Sequence, residues 1–307
     1  MPFSKDEHAG SGMKTGISSL TVIDMLLVLV VVIWGVNFTI VKIALLEMNP
    51  LVFNCFRAIV ASVFLIILSC FKKSNRPNRG IFLQLFAIGL IGNGIYQELF
   101  ILGIYRTAAG VTALIMAATP IFVMIIDSIL HVEKIGHQEW IGVIFSLIGI
   151  ILMIHIGSLG SVGNSALIGD LLILAGTVCW ATYIALSKPI LSSVSPLQFV
   201  TYTVILGSPI VILGSLPSLL TLDLRTVTLE SWSIIGYSAI LSIAVAYIIW
   251  YSSVKRIGTA RTAIYQNLVP LIAVVIAWQI LGEQLLTRQL LGGAMIFLGI
   301  YLTRFSN

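Results

Sequence analysis

The feature that most constrains this chain is an internal repeat. Arg106, Ala113, Pro120, Glu133, Gly142 and Gly149 have the same residue types 150 positions later, at Arg256, Ala263, Pro270, Glu283, Gly292 and Gly299. Upstream, Trp34, Lys42, Pro50 and Phe53 recur 146 positions later, at Trp180, Lys188, Pro196 and Phe199. The change of offset is a four-residue indel between two blocks. The chain is therefore two copies of one unit, and such a repeat governs every later assignment.

Composition says where the copies live. Hydrophobic residues make up 58% and charged residues 9%, with mean hydropathy +1.07, whereas soluble domains carry roughly 25% charged residues. This is the composition of an integral membrane protein. A length of 307 residues fits two units of about 150 residues each. The net charge of +5 does not read as nucleic-acid binding, because no basic patch alternates with aromatics on a polar face. It reads as loop charge that sets topology. Cys55, Cys70 and Cys179 have no CxxC spacing, so neither a disulfide framework nor a metal site is expected, and no cofactor is implied.

A bilayer core takes about 20 apolar residues per helix. Polar and Gly/Pro breaks cut the chain into ten such spans: 22–46, 50–71, 80–104, 108–131, 137–157, 166–188, 196–215, 229–252, 260–281 and 286–304. The period-2 pattern of a membrane barrel is missing, as in the unbroken run Met25 to Ile33. The fold class is an all-α integral membrane protein of ten transmembrane helices: a first repeat over 22–157, a second over 166–304, and a flexible polar tail over 1–21. With the N-terminus inside, twelve Lys and Arg residues fall on the inner side against four outside (Lys42, Arg106, Arg225 and Arg288), with Arg57 within a span. Cytoplasmic loops carry that excess, which puts both termini in the cytoplasm. Five spans per repeat invert the second copy relative to the first. Inverted repeats place a substrate site near the midplane and open it alternately to either side.

The run Gly258 to Leu302, GTARTAIYQNLVPLIAVVIAWQILGEQLLTRQLLGGAMIFLGIYL, resembles the second repeat of the EamA family in the drug/metabolite transporter superfamily. Trp34-Gly35-Val36-Asn37-Phe38 and Phe56-Arg57-Ala58 resemble that family's first and second helices. In the first repeat, His131-Val132-Glu133-Lys134 departs by placing Val where the second repeat has Gly before Glu. The resemblance implies a ten-helix transporter, commonly an exporter of amino acids, other metabolites or toxic small molecules. It also implies a central cavity lined by the first, third, fourth, sixth, eighth and ninth helices.

Several intramembrane residues carry chemistry. Arg57 and Glu98 each lie seven residues from the outer end of a span, roughly 10 Å deep at about 1.5 Å rise per residue. They share a level and form either a buried bridge or a functional pair, with Glu98 binding a substrate amine or carrying a coupling proton. Pro120 and Pro270 each remove a helical hydrogen bond at mid-span and are hinge candidates. Tyr265 and Gln266 stand beside the second of these prolines and are candidates to present hydrogen-bonding groups to a ligand. Trp34 and Asn37, three apart on one helix face, and Trp180 with Tyr183 in the second copy, are candidates for a cavity wall of aromatic and amide groups. Lys42 and Lys188 close their spans and are expected to snorkel to the interface. Gly142 to Gly149 and Gly292 to Gly299 read as close-packing surfaces.

The reading is a secondary transporter, an exporter of amino acids or drug-like amines by alternating access, in a bacterial inner membrane as monomer or homodimer. Its partners are a small-molecule substrate and membrane lipid, with protons as candidate coupling ions and no nucleic acid. The alternative is a membrane enzyme or scaffold subunit that moves no solute. No HExxH, GxSxG or Walker lysine loop is present, so catalysis is not expected.

Overall fold

The computed structural model describes residues 11–72, 76–130, 137–153, 163–257, 262 and 265–304. Glu133 with its preceding Val132, and His155, lie outside the described residues. Within them, regular structure is helical throughout. We label the helices α1 (Ser11–Glu47), α2 (Pro50–Cys70), α3 (Arg79–Arg106), α4 (Ala109–Ile129), α5 (His137–Met153), α6 (Gly163–Leu191), α7 (Pro196–Leu220), α8 (Leu229–Ile257), α9 (Val269–Leu281) and α10 (Thr287–Arg304). Seven of them (α1 from Val22, α2, α3, α4, α6 from Ser165, α7 and α8) are long and apolar enough to cross a membrane. Large apolar side chains such as Val63, Ile151, Leu213 and Leu220 are exposed, as a lipid-facing surface requires.

Helix starts follow local chemistry. Asn49 accepts from Leu51 N at 3.0 Å just ahead of Pro50, and Asn78 accepts from Ile81 N at 2.8 Å. Ser195 and Gln198 form a reciprocal capping box, with Ser195 Oγ accepting from Gln198 N at 3.2 Å and Gln198 Oε1 from Ser195 N at 3.1 Å. At its far end α9 stops at Gly282, whose φ of 66° is left-handed. The first helix begins at Ser11, upstream of the expected Val22. No proline stands between the two positions to end a helix propagating out of the apolar span.

Two kinds of interruption shape the middle of the bundle. The third and eighth helices each carry a π-helical segment, Leu90–Ile95 and Tyr237–Val245. The fourth breaks at a turn over Ala117 and Ala118, and a matching turn at Asn267 and Leu268 precedes α9. Pro120 and Pro270 sit at the second position of the helix that restarts after each turn. A proline costs one N–H and crowds the carbonyl four residues back. Thr119 Oγ1 donates to that carbonyl, of Met116, at 2.6 Å. Each proline thus stands just past a two-residue turn in its span.

Helix pairs meet through small residues. The most extensive contact joins α5 to α10, where Gly299 lies against the Gly142 carbonyl and Ser146, and Gly149 against the Gly292 carbonyl. In this way both glycine runs serve as packing surfaces. A seam between α2 and α7 is polar, with Ser62 and Ser208 hydroxyls 3.0 Å apart and Ser69 and Thr201 hydroxyls 3.0 Å apart.

At the end of the bundle where α3 turns into α4, two charges hold the turn. Lys42 Nζ donates to the carbonyls of Ile104 (2.8 Å), Tyr105 (3.0 Å) and Thr107 (2.6 Å) at the end of α3. Glu283 accepts from Ala109 N (2.9 Å) and Gly110 N (3.0 Å) at the start of α4. A cation at carbonyls and an anion at free amides match the two helix dipoles. Lys42 therefore caps a neighbouring helix instead of snorkelling, because three carbonyls within reach satisfy all three of its protons.

Candidate functional site

A cavity opens among the helices at the level of the two breaks. Its wall comes from α1 (Trp34, Asn37, Phe38), α2 (Arg57), α3 (Tyr96, Gln97, Phe100), α4 (Ala113, Met116, Ala117), α6 (Trp180), α8 (Ser242, Ile243, Tyr247) and the start of α9 with the residue group before it (Gln266, Val269, Pro270). The six helices implied by the family resemblance all contribute, and α2 joins them through Arg57.

Aromatic rings interlock along one side. Trp34 meets Trp180 and Tyr247 edge-on at 6.2 Å and 6.1 Å between centroids, and Trp250 at a tilt at 5.1 Å. Trp180 stacks on Tyr96 at 5.1 Å. Edge-to-face geometry is the favoured arrangement of such rings, and it fixes their orientation. The indole N–H of Trp34 donates to the Ser242 carbonyl at 3.0 Å, inside the π segment of α8. The wider turn of that segment leaves carbonyls free to accept from another helix.

The polar part of the wall centres on Arg57, which is 2% exposed. Its Nη2 donates to Asn54 Oδ1 at 2.7 Å and to Gln97 Oε1 at 2.5 Å, and Nη1 to Ser238 Oγ at 3.4 Å. Its Nε has no hydrogen-bond partner. Gln97 passes the connection on, donating from Nε2 to the Tyr247 hydroxyl at 3.3 Å. The guanidinium also lies 5.8 Å from the Phe53 ring centroid and 5.7 Å from that of Phe100, within cation–π range.

Of the residues singled out from the sequence, Trp34, Asn37, Arg57, Trp180, Gln266 and Pro270 line the cavity together; Glu98, Tyr183, Tyr265 and Pro120 are not among its lining residues. Glu98 is half-buried and accepts from Asn54 Nδ2 at 3.3 Å. Asn54 thus bridges the acid to Arg57 by its two amide ends. Tyr183 is buried behind the aromatic wall, its hydroxyl 2.8 Å from Thr203 Oγ1. Tyr265 donates to Asp24 Oδ1 at 2.7 Å. Pro120 stands just past the break that Met116 and Ala117 bring to the cavity.

Asn54, Tyr96, Phe100 and Tyr247 are site residues that sequence reasoning passed over. For Tyr247 a signal existed. It lies 150 positions after Gln97, a buried residue of the third helix, and so is that residue's equivalent in the second copy. Among the described residues, no cluster of three or more His, Cys, Asp or Glu could hold a metal ion.

The EamA-like transporter family model matches residues 21–155 and 167–305. The "Uncharacterized transporter YyaM" of Bacillus subtilis is 29% identical over 272 residues, covering 87% of this chain and 88% of that protein. A Salmonella typhimurium protein named "Probable amino-acid metabolite efflux pump" is 29% identical over 289 residues, covering 91% and 94%. Its Escherichia coli namesake is 27% identical over 294 residues, covering 92% and 94%. A solved crystal structure superposes with a TM-score of 0.65 at 13% identity over 92% of this chain and 96% of its own, a likeness of fold alone.

Proposed function

Because the chain belongs to the EamA-like transporter family, we propose that it is a secondary transporter that exports small metabolites across a bacterial inner membrane by alternating access. The observation that carries this reading is the central cavity, walled by both matched blocks at the level of both helix breaks. Discontinuous helices around a midplane cavity are what a transporter of inverted repeats requires.

The inverted arrangement has geometric support. In a two-fold assembly, equivalent residues touch one another only at the axis. Ser62 and Ser208, 146 apart, share a hydrogen bond. Gln97 and Tyr247, 150 apart, share another, and the rings of Trp34 and Trp180, again 146 apart, are in edge contact. The glycine contacts of α5 and α10 are reciprocal, Gly149 on Gly292 and Gly142 on Gly299. Five spans per half turn that axis into the membrane plane. The Lys and Arg distribution supports cytoplasmic termini.

In this reading the two halves rock about the cavity with Pro120 and Pro270 at the hinges. Trp34, Asn37 and Gln266 face the solute, Tyr183 and Tyr265 brace the wall, and Glu98 carries a coupling proton. Asn54 relays the charge state of Glu98 to Arg57. Relatives named as amino-acid metabolite efflux pumps favour amino acids within a substrate range that also takes in drug-like amines. The test is uptake of a labelled amino-acid and amine panel into proteoliposomes, with and without a pH gradient, for the native protein and Glu98→Gln. Saturable, gradient-driven flux lost in the variant is expected; conductance without saturation would point to a channel and defeat the reading.

A further inference from the structure

We propose that Arg57 is the carboxylate-binding group of the cavity, and that the transported solute is a small organic carboxylate bearing an N–H or O–H donor, not a cationic amine. This rests on the transport reading above and narrows its substrate class. Arginine stays protonated in proteins, so the cavity wall carries a permanent positive charge. Among the described residues, every hydrogen-bond acceptor of that guanidinium is neutral: Asn54, Gln97 and Ser238. No Asp or Glu is among the residues lining the cavity, and Glu98 stands on the far side of Asn54. A buried cation at membrane depth is costly unless compensated, and its Nε still lacks an acceptor. An anionic ligand adds to the partial compensation that Glu98 gives from beyond Asn54.

A second side chain asks for the opposite kind of group. Asn37 is 6% exposed and lines the cavity, and its Oδ1 is buried without a hydrogen-bond donor. Buried acceptors are nearly always satisfied, so a bound solute that donates a hydrogen bond completes the wall. The rings of Trp34, Trp180 and Tyr247 then cover an apolar body. Amino acids and hydroxy acids share this chemistry. An amine without a carboxylate enters a positively charged cavity with no counter-charge in its wall, which selects against it.

The experiment titrates intrinsic tryptophan fluorescence of the full-length protein in lipid nanodiscs, since Trp34 and Trp180 lie in the wall. Four matched probes are used: L-phenylalanine, its methyl ester, 3-phenylpropanoate and 2-phenylethylamine. Saturable change is expected with phenylalanine, weaker binding with the deaminated acid, and affinity lower by roughly tenfold or more for the ester and the amine, the scale of one lost charge-assisted hydrogen bond. Arg57→Gln should abolish the preference for acid over ester. If Arg57→Gln does not fold, the native series decides alone. Ester and amine binding as tightly as the acid overturns the carboxylate assignment and leaves transport standing. No saturable signal from any probe also overturns it, and flux of some other solute in proteoliposomes would then show that the transport reading survives.

Discussion

Glu283→Ala isolates one end of the α3–α4 turn. The carboxylate accepts from Ala109 N at 2.9 Å and Gly110 N at 3.0 Å, the first amides of α4, which have no partner within their own helix. A capping side chain is worth about 0.5–2 kcal/mol, and a charge at a helix N-terminus adds about 0.3–1 kcal/mol. Half-burial of the carboxylate argues against the top of both ranges, which leaves about 2 kcal/mol for the pair of bonds. At about 1.4 kcal/mol per tenfold, local opening of these two amides should rise about thirtyfold. Hydrogen exchange with mass spectrometry on a peptide spanning Thr107 to Thr112 reads this directly in the folded protein. Lys42→Met is the control, since Lys42 binds the carbonyl side of the same turn; it should loosen the end of α3 with a smaller effect on Ala109 and Gly110. Unchanged exchange in Glu283→Ala would refute the capping role, and an equal effect of both variants would mean that the turn opens as one unit.

Gly299→Ala puts a methyl group against the Gly142 carbonyl and Ser146. Overpacking of this kind should cost about 1–3 kcal/mol, read as a lower Tm in detergent; an unchanged Tm would mean that α5 and α10 part easily. Paired cysteines at Ser62 and Ser208, in a background with Cys55, Cys70 and Cys179 replaced, should crosslink under mild oxidation because their hydroxyls are 3.0 Å apart. The crosslinked protein should bind solute without turning over, and undiminished flux would exclude movement between α2 and α7. Asn54→Leu cuts the bridge between Glu98 and Arg57. Saturable flux should persist while its dependence on a pH gradient disappears, and retained gradient dependence would show that Glu98 acts without Asn54.

The membrane setting, the helical class and most helix limits were legible without coordinates. Hydropathy over about 20 residues and capping residues such as Asn78 and Ser195 are local properties of the chain. The repeat was also legible, but that the equivalent residues Gln97 and Tyr247, and Ser62 and Ser208, touch one another was decided by packing. The nearness of Arg57 and Glu98 was legible too, and Asn54 bridges the two. Direction around the helix axis was not. Neighbouring residues on a helix point about 100° apart, and the π segment Leu90–Ile95 shifts the phase of all that follows it. Gln97 therefore lines the cavity while Glu98, one residue on, turns to Asn54. The neutral hydrogen-bond partners of Arg57 and the capping role of Lys42 belong to the tertiary structure for the same reason. Each depends on which carbonyls and amides from distant parts of the chain arrive within 3 Å or so, a property of packing that no local pattern of residues encodes.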